Sequence, residues 1–192
     1  MTKNVYGVGV IIYAATMLIF LAMYFFGMNT DYFNNTLIIN AFVLPVVYVA
    51  GSYYSVYSAK KEGKEMGFTD VFGRAFKPMF FGGFLSVISM FLFLNFVDKE
   101  AKDLLNFQYI ERQKVELNNE YEKAKTGMKE KDQLQELEKN YEIRKKSFSP
   151  EMIEGKDMFD FRHFTYYFGA IMVFYVILSV FFACFFRSNT PT

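Results

Sequence analysis

The chain has 192 residues, 53% of them hydrophobic and 20% aromatic, and its 21 Lys and Arg against 20 Asp and Glu leave a formal net charge of +1. That balance argues against a general nucleic-acid binder, which carries a basic excess, and the length fits one ordinary domain. The single cysteine, Cys184, excludes an internal disulfide and a Cys-rich zinc site, and the single histidine, His163, excludes most His-based metal sites within one chain.

The apolar residues fall in four blocks, each long enough to cross a bilayer as a helix of ~20 residues. In chain order these are Val5–Gly27, Leu37–Ser58, Pro78–Val97 and Phe164–Phe186, and none contains Asp, Glu, Lys, Arg or His. The first block is too long for the apolar core of a signal peptide, and no small-x-small cleavage site follows it, so a retained helix is expected. Pro45 lies inside the second block and should kink it. The last turn of that block, Ser52–Ser58, is expected at headgroup level.

Loop charge orients the helices. The loop Met28–Thr36 has no Lys or Arg, whereas Ala59–Lys77 has Lys60, Lys61, Lys64, Arg74 and Lys77. The positive-inside bias places that second loop and both termini, flanked by Lys3 and Arg187, in the cytoplasm. Tyr24, Phe25, Phe26, Tyr32 and Phe33 then mark one outer boundary, and Phe159, Phe161, Phe164, Tyr166 and Tyr167 the other. Tyr suits that depth because its ring is apolar and its hydroxyl stays wet.

The segment Gly67–Lys77, GFTDVFGRAFK, reads as an amphipathic helix lying in the interface before the chain turns inward at Pro78. Thr69 or Asp70 can cap its start. Phe68, Phe72, Ala75, Phe76 and Met79 share one face, while Arg74 and Lys77 lie off it and can reach lipid phosphates. The segment is either a docking or lipid-sensing element or a plain lead-in to the third span.

Between the third and fourth spans, 98–163 carries 14 basic and 16 acidic residues. Within Lys99–Lys146 there is no Pro and one Gly, Gly127. Apolar residues recur at Ile110, Leu117, Tyr121, Ala124 and Met128, and again at Leu134, Leu137, Tyr141 and Phe148, one stripe on each of two helices. The break at Thr126-Gly127 suggests antiparallel helices over about 100–126 and 129–147. The shared stripe is thin. The hairpin is therefore a solvated coiled-coil spacer, a mobile element, or a surface that packs on a partner. Met152–Asp160, after Pro150, should run along the outer surface.

This order of two spans, a basic loop, the sequence Phe72-Gly73-x-Ala75-Phe76-Lys77, a third span, a Glu/Lys-rich helical insertion and a fourth span resembles the small inner-membrane proteins of Bacteroidota grouped as domain of unknown function 4199. The resemblance covers about Val5 to Arg187. It implies a bacterial inner-membrane address and a topology, and no activity or catalytic residue.

The residues themselves offer little chemistry. Ion pathways need ionisable groups within the membrane, and the four blocks have none. No G-x-S-x-G, H-E-x-x-H or Gly-rich phosphate loop is present. Asn40 and Asn95 can bond across helices. Gly51 with Ser55 and Gly82 with Ser86 have the small-xxx-small spacing that lets helices touch in lipid, and Gly7, Gly9, Gly169 and Ala170 add points of close approach. His163 suits an interfacial anchor. Cys184 reads as a small packing residue, with palmitoylation as the other option.

The expectation is an all-α polytopic membrane protein. Four transmembrane helices enclose an extracytoplasmic antiparallel helical hairpin between helices three and four, with residues 98–160 periplasmic. It is expected to be non-enzymatic, to need no cofactor or metal, to bind no nucleic acid and to contact the lipid bilayer. Its expected role is accessory or scaffold subunit of an envelope complex, through a membrane-protein partner. The alternative is a small transporter or channel acting as a homo-oligomer.

Overall fold

A computed structural model describes residues 4–29, 31–127, 131–153 and 155–188, and among these every regular element is helical. The helices are α1 Val5–Gly27, α2 Tyr32–Lys61, α3 Phe68–Val97, α4 Lys99–Gly127, α5 Lys131–Lys146, α6 Pro150–Ile153 and α7 Phe161–Phe186. They fall into two compact units, one of Met1–Asp98 with Phe159–Thr192, the other of Lys99–Met158.

In the first unit α1, α2, α3 and α7 are each long and apolar enough to cross a membrane. Their outer faces carry large bare side chains such as Phe26, 89% exposed, Phe42, Phe96 and Phe185. Water does not tolerate so much contiguous apolar surface, whereas lipid does. The chain is a multi-pass membrane protein. Helix α3 is central, packing along α1 and α7 and more briefly on α2.

Helix α7 starts at Phe161 rather than Phe164 and α2 ends at Lys61 rather than Ser58, and two boundaries differ more from the sequence expectation. Helix α2 starts at Tyr32 rather than Leu37, so Asn34, Asn35 and Thr36 are helical. The Tyr32 side chain is buried and the Asn35 N–H donates to the Asp31 carbonyl at 2.9 Å, which together tie down the first turn. Pro45 then follows a single π turn, Ile39–Val43, in which the Leu44 N–H reaches back five residues to the Ile39 carbonyl. The wider turn carries the helix across the donor that proline lacks.

The second difference is larger. No separate interfacial helix ends at Pro78; α3 begins at Phe68 and runs through Pro78 without a break. Neither Thr69 nor Asp70 is the N-cap. Gly67 holds that position, and its N–H donates to the Asp70 carboxylate from outside the helix at 3.3 Å. Of the face expected to lie on lipid, Ala75 and Met79 are buried, Phe72 and Phe76 are half-buried and Phe68 is exposed, while Val71 and Pro78 beside it are also buried. At its other end α3 closes with a π turn, Phe93–Val97, the Asp98 N–H donating to the Phe93 carbonyl at 2.9 Å.

In the second unit α4 and α5 run antiparallel. The Tyr121 and Tyr141 rings stack with centroids 4.3 Å apart, the Tyr141 hydroxyl donates to Asn118 Oδ1 at 2.7 Å, and Arg144 pairs with Glu120 at 2.8 Å. Leu117 is buried, while Ile110, Tyr121, Leu134, Leu137 and Tyr141 are half-buried, and no described α5 side chain is fully buried. Met128 and the expected start of the second helix at 129 lie outside the described residues. The return strand of chain is clasped to the base of α4. Asp157 accepts from Lys102 Nζ at 2.8 Å and Asn106 Nδ2 at 3.1 Å, and the Met158 N–H donates to Asn106 Oδ1.

Candidate functional site

The chemistry-bearing side chains of the membrane unit gather in three places: a hydroxyl seam in the core, a tyrosine–carboxylate pair at one end, and a group of cations at the other.

The seam starts from Pro78. Proline has no N–H, so the carbonyl four residues earlier, on Arg74, loses its helix partner. The Ser55 hydroxyl of α2 donates to that carbonyl at 2.7 Å, and the Ser52 hydroxyl donates to the Ala75 carbonyl at 3.1 Å. Both serines are fully buried, so the last turns of α2 expected among headgroups are packed against α3. The Ser55 hydroxyl thus replaces the donor that Pro78 lacks, where α3 continues through the proline.

Close approach brings the remaining helices in. A Cβ on Gly82 would lie 2.7 Å from the Gly9 carbonyl oxygen and 2.9 Å from Ile12 Cβ, so α1 and α3 touch at backbone distance there. A Cβ on Gly51 would meet Ile12 Cδ1 at 2.6 Å. Gly83 leaves the room into which the Tyr175 hydroxyl of α7 projects, its Cζ 2.9 Å from where a Cβ would stand. Tyr175 stacks on Tyr48 at 5.2 Å, and Tyr48 Oη lies 3.4 Å from Thr16 Oγ1. Tyr13 and Ser89 share a hydrogen bond of 3.1 Å. Ser86 and Ser179 donate to carbonyls of their own helices, Gly82 at 2.8 Å and Tyr175 at 2.6 Å. The seam thus consists of hydroxyls already bonded to helix backbone or to one another, which is the arrangement of interhelical adhesion.

Not every small residue belongs to it. Nothing lies within 4 Å of a Cβ on Gly169, Gly7 meets only its own Asn4, and Ala170 is exposed, so these three are not close-approach points. Cys184 is exposed rather than packed.

At the end where α1 finishes and α2 begins, the Tyr24 hydroxyl donates to Asp98 Oδ2 at 2.6 Å. Asn95 Nδ2 reaches two carbonyls, Phe91 at 3.0 Å and Phe159 at 2.9 Å, tying α3 to the approach of α7. Asp160 caps α7 by accepting from the His163 N–H, and the same oxygen lies 2.7 Å from His163 Nδ1. Here α1 and α2 splay around an open groove of about 590 Å³, lined by Ile19, Met23, Phe26, Asn35, Ile39 and Val43. Sequence reading missed Asp98 as a partner for Tyr24, because a carboxylate at a span's edge looks like the first residue of the charged insertion.

At the opposite end, Phe72, Phe76, Phe80 and Phe84 stack four residues apart along α3, with centroids 5.6, 5.8 and 5.9 Å apart. Phe72 and Phe76 pack against buried clusters, while Phe68 is exposed. Lys77 is exposed and Arg74 half-buried, with the Nη1 atom of Arg74 enclosed and without a hydrogen-bond partner. Lys60 Nζ lies 5.6 Å over the Phe186 ring. Among the described residues no group of three or more His, Cys, Asp or Glu is placed to hold a metal ion.

A family model described as a protein of unknown function (DUF4199) matches residues 8–188. No curated protein and no solved structure matches the chain.

Proposed function

We propose, starting from the fact that the chain belongs to the DUF4199 family, that it is a non-enzymatic inner-membrane protein serving as an accessory or scaffold subunit of a larger envelope complex, with α4 and α5 as its contact surface. One observation carries this reading. The hairpin belongs to a compact unit of its own, rich in Glu and Lys, yet Phe107, Val115 and Ile143 are each more than half exposed on it. A hairpin with few buried side chains and three bare apolar ones gains from a partner that covers them. The bonded hydroxyl seam fits a bundle built for adhesion. The five-to-none contrast in loop Lys and Arg supports cytoplasmic termini and a periplasmic hairpin.

The test is cross-linking and native sizing of the full-length protein beside a Phe107→Ser/Val115→Ser/Ile143→Ser variant. A stoichiometric heterologous partner that is lost in the variant, with the bundle still folded, is the expected result. A lone homo-oligomer in both forms would refute it in favour of a small transporter or channel, and flux measurements in liposomes would follow.

A further inference from the structure

We propose that Arg74, with Lys77 beside it, is a binding site for the phosphate of an anionic phospholipid headgroup. The inference is independent of the role assigned to the hairpin.

The starting point is an unsatisfied donor. A guanidinium carries five N–H donors and no acceptor, and it stays charged. Arg74 is half-buried; its Nη1 is enclosed by protein and has no hydrogen-bond partner, so a phosphate would meet the remaining guanidinium nitrogens. An enclosed donor on a charged group is among the costliest polar atoms to leave unmet. The acceptors nearest in the chain are engaged elsewhere. Asp70, one helical turn before Arg74 and the natural ion-pair partner at that spacing, turns its carboxylate to the Gly67 N–H at 3.3 Å. The carbonyl of Arg74 itself is bonded to Ser55. Among the described residues neither Arg74 nor Lys77 makes an ion pair.

A second cation lies three residues on. Lys77 folds back along α3 so that its Nζ lies 4.0 Å, and its Cε 3.8 Å, from where a Cβ of Gly73 would stand. Residues 74 and 77 are three apart and so neighbour one another on the helix surface. The pair sits in the first turns of an apolar span that opens with the exposed ring of Phe68. Lys and Arg near the end of such a helix reach toward the headgroup phosphates. Arg matches phosphate oxygens in bidentate fashion, while Lys adds a point charge. A soluble phosphate has the same oxygens. The apolar surroundings favour the lipid as their source.

The experiment uses the full-length protein in mild detergent. Retained lipid is counted by native mass spectrometry, and melting is followed as phosphatidylglycerol, phosphatidylcholine, inorganic phosphate or glycerol phosphate is added. The expected result is preferential retention of, and stabilisation by, phosphatidylglycerol. Arg74→Gln should weaken this about tenfold, exposed Lys77→Gln about fivefold, and the loop substitution Lys64→Gln not at all. The proposal is overturned by equal binding of the zwitterionic lipid, by undiminished binding in Arg74→Gln, or by an equal loss in Lys64→Gln. Full protection by inorganic phosphate overturns the lipid as the source. If Arg74→Gln does not fold, as judged by helix content and gel filtration, Lys77→Gln decides: a fivefold loss supports the site and no change refutes it.

Discussion

The contact between Ser55 and the backbone at Pro78 lends itself to a double-mutant cycle. Ser55→Ala removes the donor that serves the Arg74 carbonyl at 2.7 Å. That carbonyl has no second choice, because the residue four ahead is proline. Interhelical hydrogen bonds in membranes average about 0.6 kcal/mol and reach about 1.7. With no alternative donor, Ser55→Ala should cost about 1.5 kcal/mol. Pro78→Ala restores an N–H at the position that completes the helix ladder. In that background the same Ser55→Ala should cost only about 0.5 kcal/mol, a coupling of about 1 kcal/mol. Ser52→Ala is the control. Its bond to the Ala75 carbonyl at 3.1 Å supplements the Met79 N–H, which the helix ladder already offers. It should cost about 0.5 kcal/mol or less, with no coupling to Pro78. The assay is reversible unfolding in mixed micelles of mild and denaturing detergent, monitored by helix content. Additivity of Ser55→Ala and Pro78→Ala within about 0.4 kcal/mol would refute the claim that the serine compensates the proline.

Three further outcomes test the packing. Gly82→Ala should destabilise by about 1–2 kcal/mol, because its Cβ would stand 2.7 Å from the Gly9 carbonyl, whereas Gly169→Ala, facing open space, should be neutral or stabilise by up to about 1 kcal/mol; equal effects in thermal melts would count against the assigned contact. Tyr24→Phe removes a 2.6 Å bond to Asp98 and should cost about 1.5 kcal/mol by the same unfolding assay, with no loss if the pair is merely solvated. Leu117→Lys, at a buried position of the hairpin, should open 131–146 to protease and speed amide exchange there while α1, α2, α3 and α7 stay inserted; unchanged protection would sink the paired-helix account.

The spans were legible because composition decides them: a run of some twenty apolar residues without charge has one stable home. Their ends were not. Asn34, Asn35 and Thr36 read as a polar loop, yet the burial of Tyr32 holds them in helix. Pro78 reads as a helix start, and by local rules it is one. A serine 23 positions away in the chain reverses that preference, and no window around Pro78 contains it. Small-residue spacing marked Gly51 and Gly82 as places where a helix could approach. It could not separate them from Gly169, because the difference lies in what stands opposite, Ile12 and Gly9 in the first cases and nothing in the last. The hairpin stripes are local in period, so Leu117 and Tyr121 could be read directly. The clasp of Asp157 by Lys102 and Asn106 spans more than 50 residues and carries no periodic signal.

The same packing explains why α3 leaves its cations unpaired. One face of the helix, through Val71, Ala75, Pro78, Gly82 and Ser86, is consumed by contact with its neighbours. At Ala75 and Gly82 any longer side chain would push α2 or α1 away. Charge on α3 is thereby confined to the flank beside that face and to its first turns. Arg74 occupies that flank, where its backbone is bonded to Ser55 and its Nη1 is shut from water. A neutral side chain would suit the half-buried position better unless an anion joins it there. A headgroup phosphate is such an anion, so the position that steadies the bundle through its carbonyl can also anchor a headgroup through its guanidinium.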